Sequence, residues 1–363
     1  MRVMLAAALL SFYASECMAT TTVLREYWEY ESYLNEHPEQ KKLTQEMTLR
    51  ISNPPISANI IQDRPIEIDI VYPGSQLSDY WWRNIKALEL RLKELNIDFR
   101  LRKYSSRPNI DHRQEGESLK KALQNEPDYL IFTLDSSRHK KFAESVLSSN
   151  KTKLILINIT TPIKQWDERQ PLMYVGFDHV KGSILLAQEY MRNYPEQANF
   201  GLMYFSPGYI SEARGDTFVK YIKHQGDYAV KTAYFTHANR ASAYEATLAM
   251  LDQQPNIDFI YACSTDVAFG VSDALAELER EDVMVNGWGG GSEIEAIKSG
   301  DLDFTIVRMT DETGLAIAEG IKLDLQGLPV PKVFSGKYQV LTKDDDPQIA
   351  RDLKLKAFRY SNR

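Results

Sequence analysis

From Ile66 onward the chain alternates short apolar runs with longer amphipathic segments. Short apolar runs bounded by polar turns are typical of buried strands, and apolar residues three and four positions apart are typical of helices. The pattern predicts strands at residues 66–72, 97–104, 129–134, 153–159, 173–177, 199–205, 228–235, 258–263, 283–286 and 304–309.

The segment after the first predicted strand shows the helical pattern well. Its apolar residues recur at intervals of three and four and form one stripe, which consists of Trp81, Ile85, Leu88, Leu92 and Leu95. Strands that alternate with helices of this length predict parallel sheets with helices on both faces.

The length of the chain, 363 residues, exceeds the usual size of a single core, and ten strands fit two sheets better than one. We therefore predict an α/β fold of two doubly wound, parallel-sheet lobes joined by a three-strand hinge. The predicted crossovers lie near Pro162, in the glycine-rich run 286–291, and after Gly314. These positions assign residues 61–162 and 289–323 to lobe 1, and residues 163–288 and 324–363 to lobe 2.

The first 60 residues do not follow the strand and helix alternation. Residues 1–19 combine one positive charge with a short apolar run and end in the small residue Ala19, which predicts a signal peptide and a periplasmic location. An apolar helix of a cytosolic protein and a lipoprotein signal are the less favoured alternatives. Residues 20–60, which are rich in tyrosine, glutamate and proline, are predicted to form an N-terminal helical arm on the folded body.

Composition and motifs exclude several functions. The formal net charge of −7 argues against a nucleic-acid partner. The histidines are scattered without metal-ligand spacing, and there is no nucleophile elbow and no nucleotide-binding glycine motif. Once the signal peptide is removed, Cys263 is the only cysteine, and its apolar surroundings predict a buried small hydrophobe. We expect a protein that is not an enzyme and has no cofactor or metal.

Two arginines are the most informative residues of the chain. Arg214 and Arg308 each lie where a strand would turn into a helix, and Arg308 ends an apolar strand. A guanidinium keeps its charge and needs acceptors for five donors, so it packs poorly at such a position. Because open α/β sheets bind ligands beyond the carboxyl ends of their strands, an anionic or hydroxyl-rich small molecule is predicted. The alternative is that each arginine pairs with a nearby carboxylate.

Other candidate binding residues lie at similar positions. Trp81 and Trp288 offer flat apolar surfaces for a ring-shaped ligand, although Trp81 also fits the core stripe. The loop Gly289–Gly291 either approaches a ligand closely or is a plain turn before a helix, which Ser292 and Glu295 would cap. Neutral polar side chains that could meet ligand hydroxyls follow apolar strands at Gln76, Ser78, Thr133, Asn158 and Thr265.

Several ordered segments carry a resemblance to a known family. They are residues 71–81, 129–135, 156–162, 204–218, 260–268, 286–292 and 308–309. With these motifs the chain resembles the periplasmic sugar-binding proteins of the ribose-binding type, and within them the receptors of the quorum-sensing signal autoinducer-2. The resemblance covers the whole chain after residue 19.

The resemblance implies a particular ligand and a particular partner. The ligand would be autoinducer-2, a furanosyl borate diester, so that boron would be present only as part of the ligand. Arg214 and Arg308 would bracket the borate, and the seven other candidates would meet the ring and its hydroxyls. The implied partner is the periplasmic domain of a membrane sensor histidine kinase, which the protein would regulate.

Three alternatives remain at this point. A sugar-binding protein of a transport system would share the fold and the compartment. An enzyme would need a carboxylate pair or a nucleotide loop at the strand ends, and neither is found. A sugar-responsive repressor would need a DNA-reading helix pair at the N-terminus, where the signal peptide is predicted.

The predicted signal peptide gives the first testable expectation. We expect the mature protein in the envelope fraction to begin at Thr20, because the small residue Ala19 precedes the predicted cleavage point. N-terminal sequencing checks this, and a full-length cytosolic protein that begins at Met1 would contradict it.

Overall fold

The computed structural model describes residues 23–74, 76–105 and 112–363. The strands are β1 (Ile66–Tyr72), β2 (Phe99–Ser105), β3 (Tyr129–Thr133), β4 (Lys153–Ile157), β5 (Met173–Gly176), β6 (Gln197–Tyr204), β7 (Asp227–Phe235), β8 (Phe259–Ala262), β9 (Met284–Gly287), β10 (Phe304–Arg308), β11 (Val333–Ser335) and β12 (Tyr338–Thr342). The helices are α1 (Tyr30–Glu36), α2 (Pro38–Ser52), α3 (Tyr80–Glu94), α4 (His112–Gln124), α5 (Ser137–Ser149), α6 (His179–Asn193), α7 (Tyr209–Ser211), α8 (Thr217–Lys223), α9 (Arg240–Gln253), α10 (Thr265–Glu277), α11 (Ser292–Ser299), α12 (Asp311–Leu325) and α13 (Pro347–Ala357).

The strands form two six-stranded sheets, one for each lobe. The order is β11-β5-β4-β3-β1-β2 in lobe 1 and β12-β10-β9-β8-β6-β7 in lobe 2. In the described chain every strand pairing within these sheets is parallel except that of β10 with β12. The predicted fold class, two parallel-sheet lobes with helices, is confirmed.

The chain crosses between the lobes at three points, which differ from the predicted ones. It enters lobe 2 between β5 and α6, returns to lobe 1 between β10 and α12, and crosses again between β11 and β12. The boundaries predicted after residues 162, 288 and 323 are therefore wrong. Residues 163–176 and 324–335 belong to lobe 1, and residues 289–308 belong to lobe 2.

The incorrect boundaries have local physical causes. The polar loop around Pro162 connects β4 to β5 within one sheet, with a 3₁₀ turn at Lys164–Trp166 in place of a full helix. The glycines near residue 290 form an ordinary turn from β9 into α11. Gly314 lies inside α12, where a side chain would collide with the backbone of α3 at Asn84, so this glycine permits close helix packing.

Two strands were not predicted. β11 has only three residues, and β12, at a sheet edge, has a single buried residue, Leu341. Neither segment forms the continuous apolar run that marks the other strands. The third crossover lies between β11 and β12, so a prediction without these two strands placed that crossover too early in the chain.

Each lobe has its own packed interior. In lobe 2 the ring of Phe259 lies between Tyr190 and Phe200, with centroid distances of 3.9 Å and 4.9 Å. In lobe 1 the predicted stripe of α3 is buried, and α3 packs against α12. There the guanidinium of Arg91 pairs with Glu319 at 2.6 Å, and both side chains are buried. Cys263 is fully buried, as predicted.

The N-terminal arm contains α1 and α2 and contacts both lobes. The hydroxyl of Thr44 donates to the carbonyl of Val333 in lobe 1 at 2.7 Å. Tyr27 forms a β-bridge with Ile163 of lobe 1, and its ring lies 5.1 Å from that of Tyr209 in lobe 2. The arm therefore spans the line along which the lobes meet.

The predicted signal peptide, with Cys17, lies outside the described residues. Among the helices of the described ranges, none combines the length and apolar character needed to cross a membrane.

Candidate functional site

A cavity lies between the two lobes, where the carboxyl ends of strands from both sheets meet. Its volume is about 70 Å³, which leaves room for roughly five to seven waters because one water needs about 10–15 Å³. That space suits one molecule of monosaccharide size. It is lined by Pro73, Gln76, Ser78, Tyr80, Trp81, Glu115, Thr133, Asp135, His139, Asn158, Phe205, Ile210, Arg214, Ser264, Thr265, Asp266 and Arg308.

Lobe 1 contributes the loop after β1 and the start of α3. The indole nitrogen of Trp81 donates to the side-chain oxygen of Gln76 at 2.8 Å, so that Trp81 orients this amide. The ring of Trp81 packs edge-on against Tyr80, with centroids 4.9 Å apart. Trp81 therefore belongs to the core stripe and also lines the cavity, and its stacking on a ligand stays a prediction.

Thr133 and Asn158 enter the cavity from the ends of neighbouring strands. Thr133 is the last residue of β3, and Asn158 follows β4 with a left-handed backbone, φ 63°. The backbone N–H of Asn158 donates to the carbonyl of Val175 at 2.8 Å, which holds this conformation. The side-chain oxygen of Asn158 is buried and has no hydrogen-bond partner among the described residues. The side-chain amide of Asn158 is therefore available for a ligand.

Arg214 reaches the cavity from a π-helical turn, Glu212–Asp216, that precedes α8. The Nε–H donates to Nδ1 of His179 at 3.3 Å, and Nη1 donates to the carbonyl of Cys263 at 2.8 Å. The guanidinium carbon lies 4.1 Å from the ring centroid of Trp288. These contacts leave donors of Arg214 free for a ligand, because a guanidinium has five N–H groups.

Arg308 ends β10 and is 6 % exposed. Its guanidinium carbon lies 4.6 Å from the ring centroid of Tyr80 and 5.6 Å from that of Phe177. Its Nε has no hydrogen-bond partner in the described part of the chain. The guanidinium of Arg308 is therefore stacked against the rings of Tyr80 and Phe177, and its Nε–H is available to a ligand.

Neither arginine forms an ion pair with a carboxylate of the described residues. Burial and, to a smaller extent, the nearby charge of Arg308 lower the pKa of Arg214 to about 10. Burial also lowers the pKa of Arg308. Both groups remain charged near neutral pH, so the site holds two cations in a desolvated space. The alternative of simple pairing with carboxylates does not describe this geometry.

Trp288 is the one predicted site residue that does not line the cavity. It is 2 % exposed and lies behind Arg214, against His179 and Gly182. The prediction that it stacks on the ligand is therefore wrong as a direct contact. Gly182 of α6 provides the space that buries the indole ring.

The last lobe 2 residues of the predicted set lie near α11. The hydroxyl of Thr265 donates to the carboxylate of Glu293 and also lines the cavity. The predicted capping box of α11 is absent, since Ser292 is already helical and Gly291 precedes the helix without a side-chain cap. Gly291 packs closely against Asp79 of lobe 1. The glycine loop therefore approaches the opposite lobe and does not line the cavity.

Two carboxylates that the sequence analysis missed connect the lobes beside the cavity. The carboxylate of Asp135 in lobe 1 accepts from the backbone N–H of Ile210 at 2.8 Å, and its backbone carbonyl accepts from the N–H of Tyr209 at 3.0 Å. In the reverse direction, Asp266 of lobe 2 accepts from the N–H of Leu77 at 2.9 Å. Asp135 lies two residues beyond the end of β3 and Asp266 four residues beyond the end of β8, whereas the sequence prediction named no carboxylate after a strand.

Asp266 is buried and Asp135 is partly buried where the lobes meet. Desolvation, with a smaller effect of Glu115, raises the pKa of Asp135 to about 7, although the Ile210 amide, His139 and Arg214 act in the opposite direction. Burial also raises the pKa of Asp266. Closing the cleft therefore places ionisable groups where their charged forms are disfavoured.

Comparison with known proteins identifies the class. Residues 70–327 match the family model described as a periplasmic binding protein domain. Because the matched segment is more than half of the chain, the protein belongs to the periplasmic binding protein domain family. This is a family of binding proteins that work outside the cytoplasm.

Solved structures share the fold at low sequence identity. A glucose-galactose binding protein, GanP, from Geobacillus stearothermophilus is 20% identical with a TM-score of 0.69, over 78% of this chain and 100% of that chain. A periplasmic solute-binding protein of an ABC transporter from Actinobacillus succinogenes, with bound D-allose, is 19% identical with a TM-score of 0.67, over 80% and 100%. A chain of the XylFII-LytSN complex is 17% identical with a TM-score of 0.67, over 78% and 100%.

The acid Asp135, at the contact between the lobes, predicts a pH-dependent closure of the ligand-free protein. Desolvation raises its pKa from the ordinary 3.8 to about 7 in the closed arrangement, so the closed form should hold the proton more tightly than an open form in which this carboxyl is solvated. Closure should weaken as pH rises from about 4 to 7, by about tenfold in the closed-to-open ratio for each unit of pKa difference. Asp135→Asn should remain more closed than the wild type at pH 8 and equal it at pH 4. Small-angle X-ray scattering measures this as a smaller radius of gyration.

The control is Asp344→Asn, which removes the same charge from an exposed position outside the cleft. It should follow the wild-type pH curve. If Asp135→Asn also follows that curve at every pH, Asp135 does not contribute to the pH dependence of closure.

Proposed function

We propose that this protein is a periplasmic receptor for autoinducer-2, a furanosyl borate diester, of the type represented by the quorum-sensing receptor LuxP. The observation that carries the proposal is the pair of buried arginines, Arg214 and Arg308, that have no carboxylate partner among the described residues. A four-coordinate borate has one negative charge, and charged hydrogen bonds from planar guanidinium groups suit it.

The remaining contacts follow from the cavity lining. Arg214 and Arg308 would bracket the borate, and the indole of Trp81 would border the ring. The hydroxyls would be met by neutral polar groups at Gln76, Ser78, Thr133, Asn158 and Thr265. Trp288 would act indirectly, because it supports the guanidinium of Arg214 from behind. The site would need no cofactor and no metal, and the protein would not be an enzyme.

The second candidate is a sugar-binding protein of a transport system. It is favoured by the solved structures of the same fold, which include a glucose-galactose binding protein and a transporter protein with bound D-allose. A neutral sugar would use the same polar groups of the cavity. It would leave the charges of Arg214 and Arg308 without compensation, and this favours the anionic ligand.

The proposed partner is the periplasmic domain of a membrane sensor histidine kinase of the LuxQ type. The N-terminal arm supports a regulatory role because Tyr27 contacts both lobes and so adds surface that depends on their relative position. A protein of the same fold has also been solved in a complex, XylFII-LytSN.

The ligand is tested through the two arginines. Arg214→Ala or Arg308→Ala should each weaken autoinducer-2 binding about tenfold to a hundredfold, because a charged hydrogen bond contributes roughly 1.5–3 kcal/mol. Lysine at either position should restore only part of the affinity, since it lacks the planar fork. Isothermal titration in borate-containing and borate-depleted buffer measures this. Mass spectrometry with boron analysis identifies the ligand released from purified protein.

Arg280→Ala is the matched control, because Arg280 pairs with Asp282 at the surface of lobe 2. Its affinity should equal that of the wild type. Tight binding that is independent of borate and insensitive to Arg214→Ala and Arg308→Ala would contradict the proposal. Release of a boron-free sugar would instead support the transport candidate.

The partner is tested separately. Purification of the tagged protein from solubilised envelopes should recover a sensor histidine kinase, since a receptor needs a membrane protein to report ligand binding. Deletion of α1 and α2 in a parallel sample tests the contribution of the arm. Recovery of a sugar permease without a kinase would contradict the regulatory role.

A further inference from the structure

His179 is a buried residue that links ligand-binding candidates of both lobes. It is the first residue of α6, directly after the chain crosses into lobe 2, and is 1 % exposed. Its Nδ1 lies 3.3 Å from Nε of Arg214, and its Nε2 lies 3.0 Å from the backbone oxygen of Asn158. The ring is enclosed by Tyr209 and Trp288, at centroid distances of 6.0 Å and 6.2 Å.

The two neighbours define which nitrogen of His179 has the proton. The Nε–H of Arg214 can only donate, so Nδ1 must accept and be unprotonated. The carbonyl of Asn158 can only accept, so Nε2 must have the hydrogen. The surroundings agree with a neutral ring, because burial and the charges of Arg214 and Arg308 all lower the pKa of His179, whereas only the carbonyl of Asn158 acts in the opposite direction.

The hydrogen bond to His179 constrains the direction of the Arg214 guanidinium. Nε is held by the imidazole, Nη1 by the carbonyl of Cys263, and the face by Trp288. Because these contacts occupy Nε–H, one N–H of Nη1 and one face of the guanidinium, the remaining N–H groups are left for the cavity that Arg214 lines. Without the acceptor at Nδ1, the side chain loses one of two hydrogen bonds that set this orientation.

We propose that His179, as the neutral Nε2–H tautomer, is a positioning residue that orients Arg214 for an anionic ligand. This inference rests on the proposed function only for the nature of the ligand. The contact itself exists in the ligand-free protein, so the two proposals can fail separately.

Three substitutions separate the two hydrogen bonds of His179. His179→Asn keeps an acceptor near the Nδ1 position and should bind autoinducer-2 in borate buffer within about threefold of the wild type. His179→Gln keeps a donor near the Nε2 position, and His179→Phe keeps only the ring. Both should lose affinity about tenfold or more, because they remove an acceptor from a charged donor. Thermal unfolding of each ligand-free variant controls for folding.

A double-mutant cycle distinguishes positioning from general damage to the structure. If His179 acts through Arg214, His179→Phe should cost no further affinity in the Arg214→Ala background. Full additivity would overturn the proposal. So would the reverse order of the single variants, in which His179→Gln binds normally and His179→Asn does not.

A measurement without ligand completes the test. Nitrogen-15 NMR of the wild type at pH 7 should show Nδ1 unprotonated and Nε2 protonated, and the Arg214 Nε–H should exchange slowly. That protection should be lost in His179→Phe and kept in His179→Asn. A proton on Nδ1 would overturn the proposal whatever the ligand is, whereas failure of autoinducer-2 to bind would overturn only the proposed function.

Discussion

The burial of two positive charges in one closed cleft is the constraint on which the site depends. Arg214 and Arg308 both belong to lobe 2; Arg214 packs on Trp288 of the same lobe, and Arg308 packs on Tyr80 of lobe 1 and on Phe177 of the crossover. Desolvating a cation is costly, and two neighbouring cations repel each other. Aromatic faces compensate only part of this cost. An anion in the cleft would compensate the rest, so that ligand charge and lobe closure would be coupled.

The closed arrangement also depends on reciprocal contacts between the lobes. The carboxylate of Asp135 in lobe 1 accepts from a backbone amide of lobe 2, and that of Asp266 in lobe 2 accepts from a backbone amide of lobe 1. Both acids have raised pKa values, and both line the cavity. The hydrogen bonds of these acids hold the lobes together, whereas burial of their charges and of the two guanidinium groups opposes closure. Such opposing effects would allow a small ligand to shift the equilibrium between open and closed forms.

The N-terminal arm connects this equilibrium to the outer surface. Tyr209 contacts Tyr27 of the arm. It precedes Ile210, whose backbone N–H donates to Asp135, and it lies five residues before Arg214. A shift of this segment on ligand binding would therefore reach the arm through direct packing. The same fold serves sugar-binding proteins of transport systems, so the arm and the paired arginines, and not the fold, are what suggest a receptor.

The sequence by itself determined the two-lobed α/β fold and eight of the seventeen residues that line the cavity. Buried strands have continuous apolar runs that can be read from the sequence. In a parallel sheet, the polar residues at the carboxyl ends of these runs lie at the edge where ligands bind, as Thr133 and Asn158 do here. Only the tertiary structure decided the lobe boundaries, the role of Trp288, and the presence of Asp135 and His179 at the site. Lobe membership depends on which sheet a strand joins, and the position of Trp288 depends on the space that Gly182 leaves on another helix. Such contacts join residues far apart in the chain, so no local pattern of residues contains them.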